Sequence, residues 1–218
     1  MPKTEGIPAP KCGFVAILGA PNVGKSTLLN RLVGLKVSIV SPKVQTTRTR
    51  VLGICIRGTT QLVFIDTPGI FRPRRRLDRA MVAIAWVSAR EADHIILIVD
   101  VKRGFDDNTE TITRKLAEES RRADLILNKI DLVEKTELLA ISAKLNECGL
   151  FNDTFMISAE SGEGVADLVK HLTESLPQGP WMFPENQVSD MPARLLAAEV
   201  TREQIYLQLH KEVPYATA

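Results

Sequence analysis

Phe14-Val15-Ala16-Ile17-Leu18 runs directly into Gly19-Ala20-Pro21-Asn22-Val23-Gly24-Lys25-Ser26-Thr27. Five apolar residues without polar alternation read as a strand buried on both faces, as in a parallel sheet. The loop after them fits G-x-x-x-x-G-K-S, and Lys25 to Val33 continues as a helix. Strand, glycine loop and helix in that order make a phosphate cradle. Glycine lets the backbone close round an anion without a Cβ clash. The loop amides and the helix N-terminus turn positive potential towards it. Lys25 offers a compact charge to β- and γ-phosphates, and Ser26 offers a hydroxyl to Mg²⁺. Gly19 to Thr27 are the expected contacts of a nucleotide triphosphate.

Outward from this loop, short apolar runs alternate with helical patterns. Val51 to Arg57 and Gln61 to Ile65 read as strands joined by a hairpin at Gly58-Thr59-Thr60. Leu77 to Arg90 is an expected helix, Ile95 to Val99 a core strand, Asn108 to Arg122 a helix and Asp124 to Leu127 a strand end. Thr136 to Cys148 reads as a helix stopped by Gly149, Thr154 to Ile157 as the last strand, and Gly164 to Leu176 as a helix ended by Pro177. The alternation predicts an α/β fold, a doubly wound and mainly parallel sheet with its ligand site at the carboxyl ends of the strands.

Two further motifs fall at such ends. Asp66-Thr67-Pro68-Gly69 follows the strand Leu62 to Ile65; Asp66 is placed to hold Mg²⁺ through water, and Gly69 lets its amide approach a γ-phosphate. Between this motif and the first lies Val44-Gln45-Thr46-Thr47-Arg48-Thr49-Arg50, where a threonine completes the Mg²⁺ shell when the triphosphate is bound. Thr47 is the favoured ligand and Thr46 its rival. Ile70 occupies the position where a hydrolysing water is often oriented by glutamine, and it has no hydrogen-bonding group for that task. Slow intrinsic turnover is expected. Asn128-Lys129-Ile130-Asp131 ends the next strand. A carboxylate at Asp131 accepts from guanine N1–H and N2–H₂, whereas adenine leaves it unpaired, a heavily penalised state. Asn128 ties the loop together, the Lys129 stem covers the base, and in Ser158-Ala159-Glu160 the Ala159 amide is placed for guanine O6.

This ordered set resembles the TrmE-Era-EngA group of P-loop GTPases, and within it the bacterial Era family. Val37-Ser38-Ile39-Val40-Ser41, Phe183-Pro184-Glu185, Glu199-Val200-Thr201-Arg202-Glu203 and Val213-Pro214-Tyr215 extend the likeness from Gly13 onward. The resemblance implies GTP hydrolysis with Mg²⁺, binding of GTP and GDP, and a role in maturing the 30S small ribosomal subunit. In that family a C-terminal KH domain binds 16S rRNA, and KH domains grip RNA with a GxxG loop. No such loop follows residue 184. The expected organisation is a tail at 1–12, a G domain at 13–177, a linker at 178–191 and the truncated start of a KH domain at 192–218, with an amphipathic helix from Pro192 to Glu212. The likeness also implies a monomer in the bacterial cytoplasm, with peripheral association at the inner membrane. It gives Asn22 a part in holding K⁺ by the phosphates, as a catalytic residue beside Lys25, Thr47 and Gly69. The plainer alternative is that asparagine suits a tight loop. A sibling GTPase of tRNA modification or another assembly step, and a nucleotide-gated binding module with negligible turnover, are the competing functions.

Composition agrees with an ordinary globular chain. The 218 residues carry a formal net charge of +2, too mild to argue for nucleic acid by itself. Cys12, Cys55 and Cys148 form no CxxC pair, and the reduced cytosol is the simplest setting for them. Met1 to Pro10 has no apolar core of a signal peptide, and the apolar run Ile95 to Val99 is far short of the ~20 residues of a membrane span. Arg72, Arg74, Arg75, Arg76 and Arg79 crowd the segment after Gly69. They read as a solvated loop with Asp78 as counterion, or as an rRNA-facing patch.

Overall fold

The computed structural model of the chain describes residues 9–41, 47 and 49–208. Its centre is a six-stranded sheet in the order β2-β3-β1-β4-β5-β6. The strands are β1 (Lys11–Gly19), β2 (Val51–Arg57), β3 (Thr60–Asp66), β4 (His94–Asp100), β5 (Ala123–Asn128) and β6 (Phe151–Ile157). Only β2 runs antiparallel, paired with β3 across the hairpin; β1 pairs parallel with both β3 and β4. The connection from β1 leaves towards one edge and that from β4 towards the other. The carboxyl ends of these two strands therefore flank the crevice in which such sheets bind ligands.

Helices cover both faces. On one, α1 (Lys25–Val33) and α5 (Val165–Ser175) set Leu28, Leu29, Leu32, Leu168 and Leu172 against Val15, Ile17 and Ile96. On the other, α2 (Arg76–Glu91), α3 (Asp107–Glu118) and α4 (Lys135–Asn146) bring Ala85, Trp86, Ile112, Leu116 and Leu145 onto Leu18, Leu97 and Leu125. Burial on both faces explains why β1 and β4 read as unbroken apolar runs. Each face buries many Leu and Ile side chains, each worth roughly 1.5–3 kcal/mol.

The elements match the sequence reading except at their ends. β1 starts at Lys11 because Lys11 N–H donates to the Thr59 carbonyl (3.1 Å) and Cys12 N–H to the Pro177 carbonyl (3.3 Å). α3 stops at Glu118, four residues before the expected Arg122. Ser120 there takes a positive φ of 52°, and the Arg121 guanidinium reaches the carbonyls of Ala89 (3.0 Å) and Ala92 (2.8 Å), which turns the chain into β5. α4 likewise ends at Asn146, and Gly149, at φ 64°, donates back to the Asn146 carbonyl.

The segment after α5 runs along the β2–β3 edge. Ile54 N–H donates to the Val188 carbonyl (2.9 Å) and Leu52 N–H to Asp190 Oδ1 (3.1 Å), so part of the open edge of β2 is covered. Gln61, fully buried, accepts from the N–H groups of Met182 and Phe183 and donates to the Phe183 carbonyl. The last described helix, α6 (Ala193–Gln208), turns Arg202, Glu203 and Tyr206 inward. Glu203 accepts from Val40 N–H (2.8 Å) and pairs with Lys36, so α6 packs on the segment that follows α1. The expected extension to Glu212, and Val213-Pro214-Tyr215, lie outside the described residues, as do Thr46 and Arg48.

Candidate functional site: a nucleotide cleft at the P-loop

Gly24 and Gly69 show why the loop needs glycine. Gly24 sits at φ 102°, and a Cβ there would lie 2.3 Å from Asn128 Nδ2. A Cβ on Gly69 would lie 2.8 Å from Pro21 Cα, so the Asp66–Gly69 turn packs backbone on backbone against the P-loop. Ile70 N–H donates to the Gly19 carbonyl (3.0 Å) and Thr67 Oγ1 to the Ile17 carbonyl (2.7 Å), which fastens that turn to β1. A cleft of about 480 Å³ opens above. Asn22, Gly24, Lys25, Ser26, Thr27 and Thr47 lie in its wall, with Pro21, Gly69 and Lys129.

Lys25 is buried and donates to the carbonyls of Gly19 (3.2 Å) and Ala20 (2.8 Å). Burial pushes its pKa down to about 8; Asp66 opposes the fall and the Arg103 guanidinium adds to it. Three hydroxyls converge on one oxygen of the fully buried Asp66. Ser26 Oγ lies 2.7 Å from Oδ2, Ser38 Oγ 2.8 Å and Thr47 Oγ1 3.3 Å. Burial raises the Asp66 pKa, against the Ser26 hydroxyl and the Lys25 charge. Its second oxygen, Oδ1, is buried with no hydrogen-bond partner among the described residues. A buried carboxylate oxygen left unmatched beside two hydroxyl-bearing loops suits a hard divalent cation with its waters, so these residues fit Mg²⁺.

The base-reading motif is tied to the phosphate loop through one side chain. Asn128 Nδ2 donates to the Val23 carbonyl (2.7 Å), and Asn128 Oδ1 accepts from Ala159 N–H (2.9 Å). Lys129 reaches the Asn22 carbonyl (3.0 Å) and Asp100 (2.6 Å). Asn22 itself takes φ 63°. Asp131 stands exposed on the 3₁₀ turn Ile130–Leu132, and Ser158 is buried with Oγ accepting from Ser161 N–H (3.1 Å). Arg31 on α1 holds the carbonyls of Ala159 (2.6 Å) and Glu160. Asp131, Ser158, Ala159 and Glu160 flank the phosphate cleft rather than line it. Ala20, Val23, Thr67 and Pro68 are buried supports of the loops. The Ile70 side chain, 1% exposed, packs with Leu18 and Trp86 in the core, so only its backbone meets the P-loop.

Three contributors escaped the sequence reading. Ser38 joins the hydroxyls on Asp66 and is itself fixed by Asn30, whose Oδ1 accepts from the N–H groups of Val37 and Ser38. Arg103 lines the cleft and donates to the Pro21 carbonyl (2.9 Å). Asp78, read as a counterion to the arginines, also accepts from the backbone N–H groups of Arg74 and Arg75 and caps α2, a role the sequence reading did not give it.

Fold and cleft together define a P-loop GTPase domain. The family described as 50S ribosome-binding GTPase matches residues 14–129. GTPase Era of Brucella suis biovar 1 is 56% identical over 207 residues, 95% of this chain and 67% of its own length; GTPase Era of Rhizobium meliloti is 55% identical over the same share, and 66% of its own length is covered. A crystal structure of Era in complex with MgGDPNP and nucleotides 1506-1542 of 16S ribosomal RNA superposes with a TM-score of 0.89 at 41% identity, over 94% of this chain and 70% of that one. The chain belongs to the Era family of GTPases. It hydrolyses GTP, and spans about two thirds of the length of the curated relatives it matches.

Proposed function

We propose that the chain binds GTP with Mg²⁺ in the P-loop cleft and serves as the nucleotide-driven part of a small-subunit assembly factor. The observation that carries the reading is the convergence of Ser26, Ser38 and Thr47 on Asp66 beside the buried Lys25. In this reading Ser26, Thr47 and, through water, Asp66 hold Mg²⁺, which when bound offsets charge on the phosphates. Lys25 leaves its loop carbonyls for the β- and γ-phosphates, and Gly69 N–H faces the γ-phosphate. Asp131 reads guanine N1–H and N2–H₂, with the Ala159 amide at O6. Asn22 helps hold K⁺, whose charge substitutes in part for an arginine supplied by a partner. The 16S rRNA bound in the Era complex is the expected RNA partner, and a monomer in the cytoplasm is the expected state.

The nucleotide reading is tested by filter binding of GTP against ATP. GTP wins by orders of magnitude, and Asp131→Asn cuts that preference at least tenfold; an unchanged ratio in the variant rejects the assignment of Asp131. A second reading, a nucleotide-gated binding module with very slow turnover, is favoured by one observation: the Ile70 side chain is buried away from the cleft. Single-turnover hydrolysis in K⁺ and in Na⁺, with and without small subunits, separates the two. Faster cleavage in K⁺ supports the first; equal and very slow rates in both salts, even with subunits present, support the second.

A further inference from the structure

At the ends of β4 and β5 opposite the P-loop, a second polar cluster has no part in nucleotide binding. His94 opens β4, Asp124 is the second residue of β5, and His171 lies on α5. His94 Nε2 stands 2.6 Å and His171 Nε2 2.8 Å from the same oxygen, Asp124 Oδ2. The Asp124 side chain is completely buried, and its other oxygen, Oδ1, has no hydrogen-bond partner among the described residues. The imidazoles are 16% and 25% exposed, so the cluster has a path to solvent. On that side Asp153 Oδ2 lies 3.9 Å from His171 Nε2, and Ser175 Oγ lies 3.4 Å from it. The two rings meet edge to face, with centroids 5.9 Å apart, and Phe155 covers His171.

We propose that His94, Asp124 and His171 form a binding site for a divalent transition-metal ion of the Zn²⁺ type. Two imidazole nitrogens and one carboxylate, all within 4.8 Å of one another, are a donor set for zinc, cobalt or nickel. Magnesium and calcium take oxygen ligands and are poorly served by two nitrogens. A purely hydrogen-bonded bracket uses one oxygen of Asp124 and leaves a fully buried carboxylate oxygen unmatched, a state that folded proteins rarely keep. A cation drawn between the three side chains balances the charge of the buried carboxylate. Each imidazole then coordinates through the Nε2 lone pair and keeps its proton on Nδ1. The present nitrogen–oxygen separations are hydrogen-bond lengths; ligands round a tetrahedral ion stand about 3.3 Å apart, so entry of the ion spreads the cluster by a fraction of an ångström. Asp153 lies outside that cluster, and a water completes the coordination. Such an ion pins α5 to β4 and β5 at the base of the sheet.

The test uses the full chain carrying Cys148→Ser and His210→Gln, which removes an exposed thiol and the third histidine. The protein is stripped with chelator, saturated with Mg²⁺ and GDP so that the nucleotide cleft is filled, and titrated with Zn²⁺ and Co²⁺. One equivalent of Zn²⁺ binds, the melting temperature rises, and Co²⁺ develops the intense visible bands of a tetrahedral site. His94→Gln and His171→Gln each abolish those bands and weaken Zn²⁺ by roughly tenfold or more, while GDP affinity in the same samples is unchanged. No cobalt bands and no zinc isotherm in the parent chain overturn the proposal and leave a hydrogen-bonded bracket; so does equal zinc affinity in parent and both variants. Loss of GDP binding in the parent is read separately and bears only on the P-loop.

Discussion

Lys25 and Arg103 set the electrostatics of the phosphate cradle. Burial lowers the Lys25 pKa to about 8, and the neighbouring Arg103 adds to that fall while Asp66 resists it. Bound phosphates favour the ammonium and raise that pKa again. Affinity for GTP is therefore full below pH 8 and declines as pH rises through 8, because binding must then take up a proton. Isothermal titration from pH 7 to pH 8.5, in buffers of different ionisation heat, reads both the decline and the proton uptake. In Arg103→Gln the onset moves to higher pH, since one repelling charge is gone, and affinity at pH 7 drops by roughly threefold to tenfold as the Pro21 carbonyl loses its donor. For the nucleotide-free chain the same shift makes stability climb with pH between about 8 and 10.5, where the unfolded lysine holds a proton that the folded one has lost.

Among elements, the strap that follows α5 owes most to Gln61. Its amide answers three backbone groups of Met182 and Phe183. Gln61→Leu fits the space yet leaves those groups unpaired, at a cost of about 3 kcal/mol. Melting should fall by roughly 6–12 °C, as read by circular dichroism, and chymotrypsin should cut sooner after Trp181 in the strap. Neither the strap's path nor Gln61's part in it was legible in the sequence. Gln61 lies more than a hundred residues from its partners, and nothing local marks it. Gly19 to Thr27, by contrast, could be read at once, because every group that shapes the loop is contiguous and flanked by its own strand and helix. Ser38 and Arg103 stayed hidden for the same reason as Gln61: each acts through a carboxylate or carbonyl far along the chain. The early end of α3 was missed because helical periodicity persists past Glu118, while Arg121 is claimed by carbonyls near the end of α2.

At the scale of the whole molecule, one sheet carries both ends of the nucleotide cleft. Binding should thus stabilise the fold as a unit. Mg²⁺ and GDP at a hundred times the dissociation constant add about 2.7 kcal/mol, and differential scanning calorimetry should show one transition shifted up by roughly 5–11 °C. A split endotherm with only one half shifted would contradict this. The Asn128 amide, clasping the Val23 carbonyl with one end and the Ala159 amide with the other, has a consequence for partial ligands. Guanosine lacks the anionic half and pyrophosphate the purine half, yet each alone must order the whole clasp. The two fragments together should therefore bind far less tightly than the joined molecule, by the chelate advantage that one rigid hinge confers on a two-ended guest.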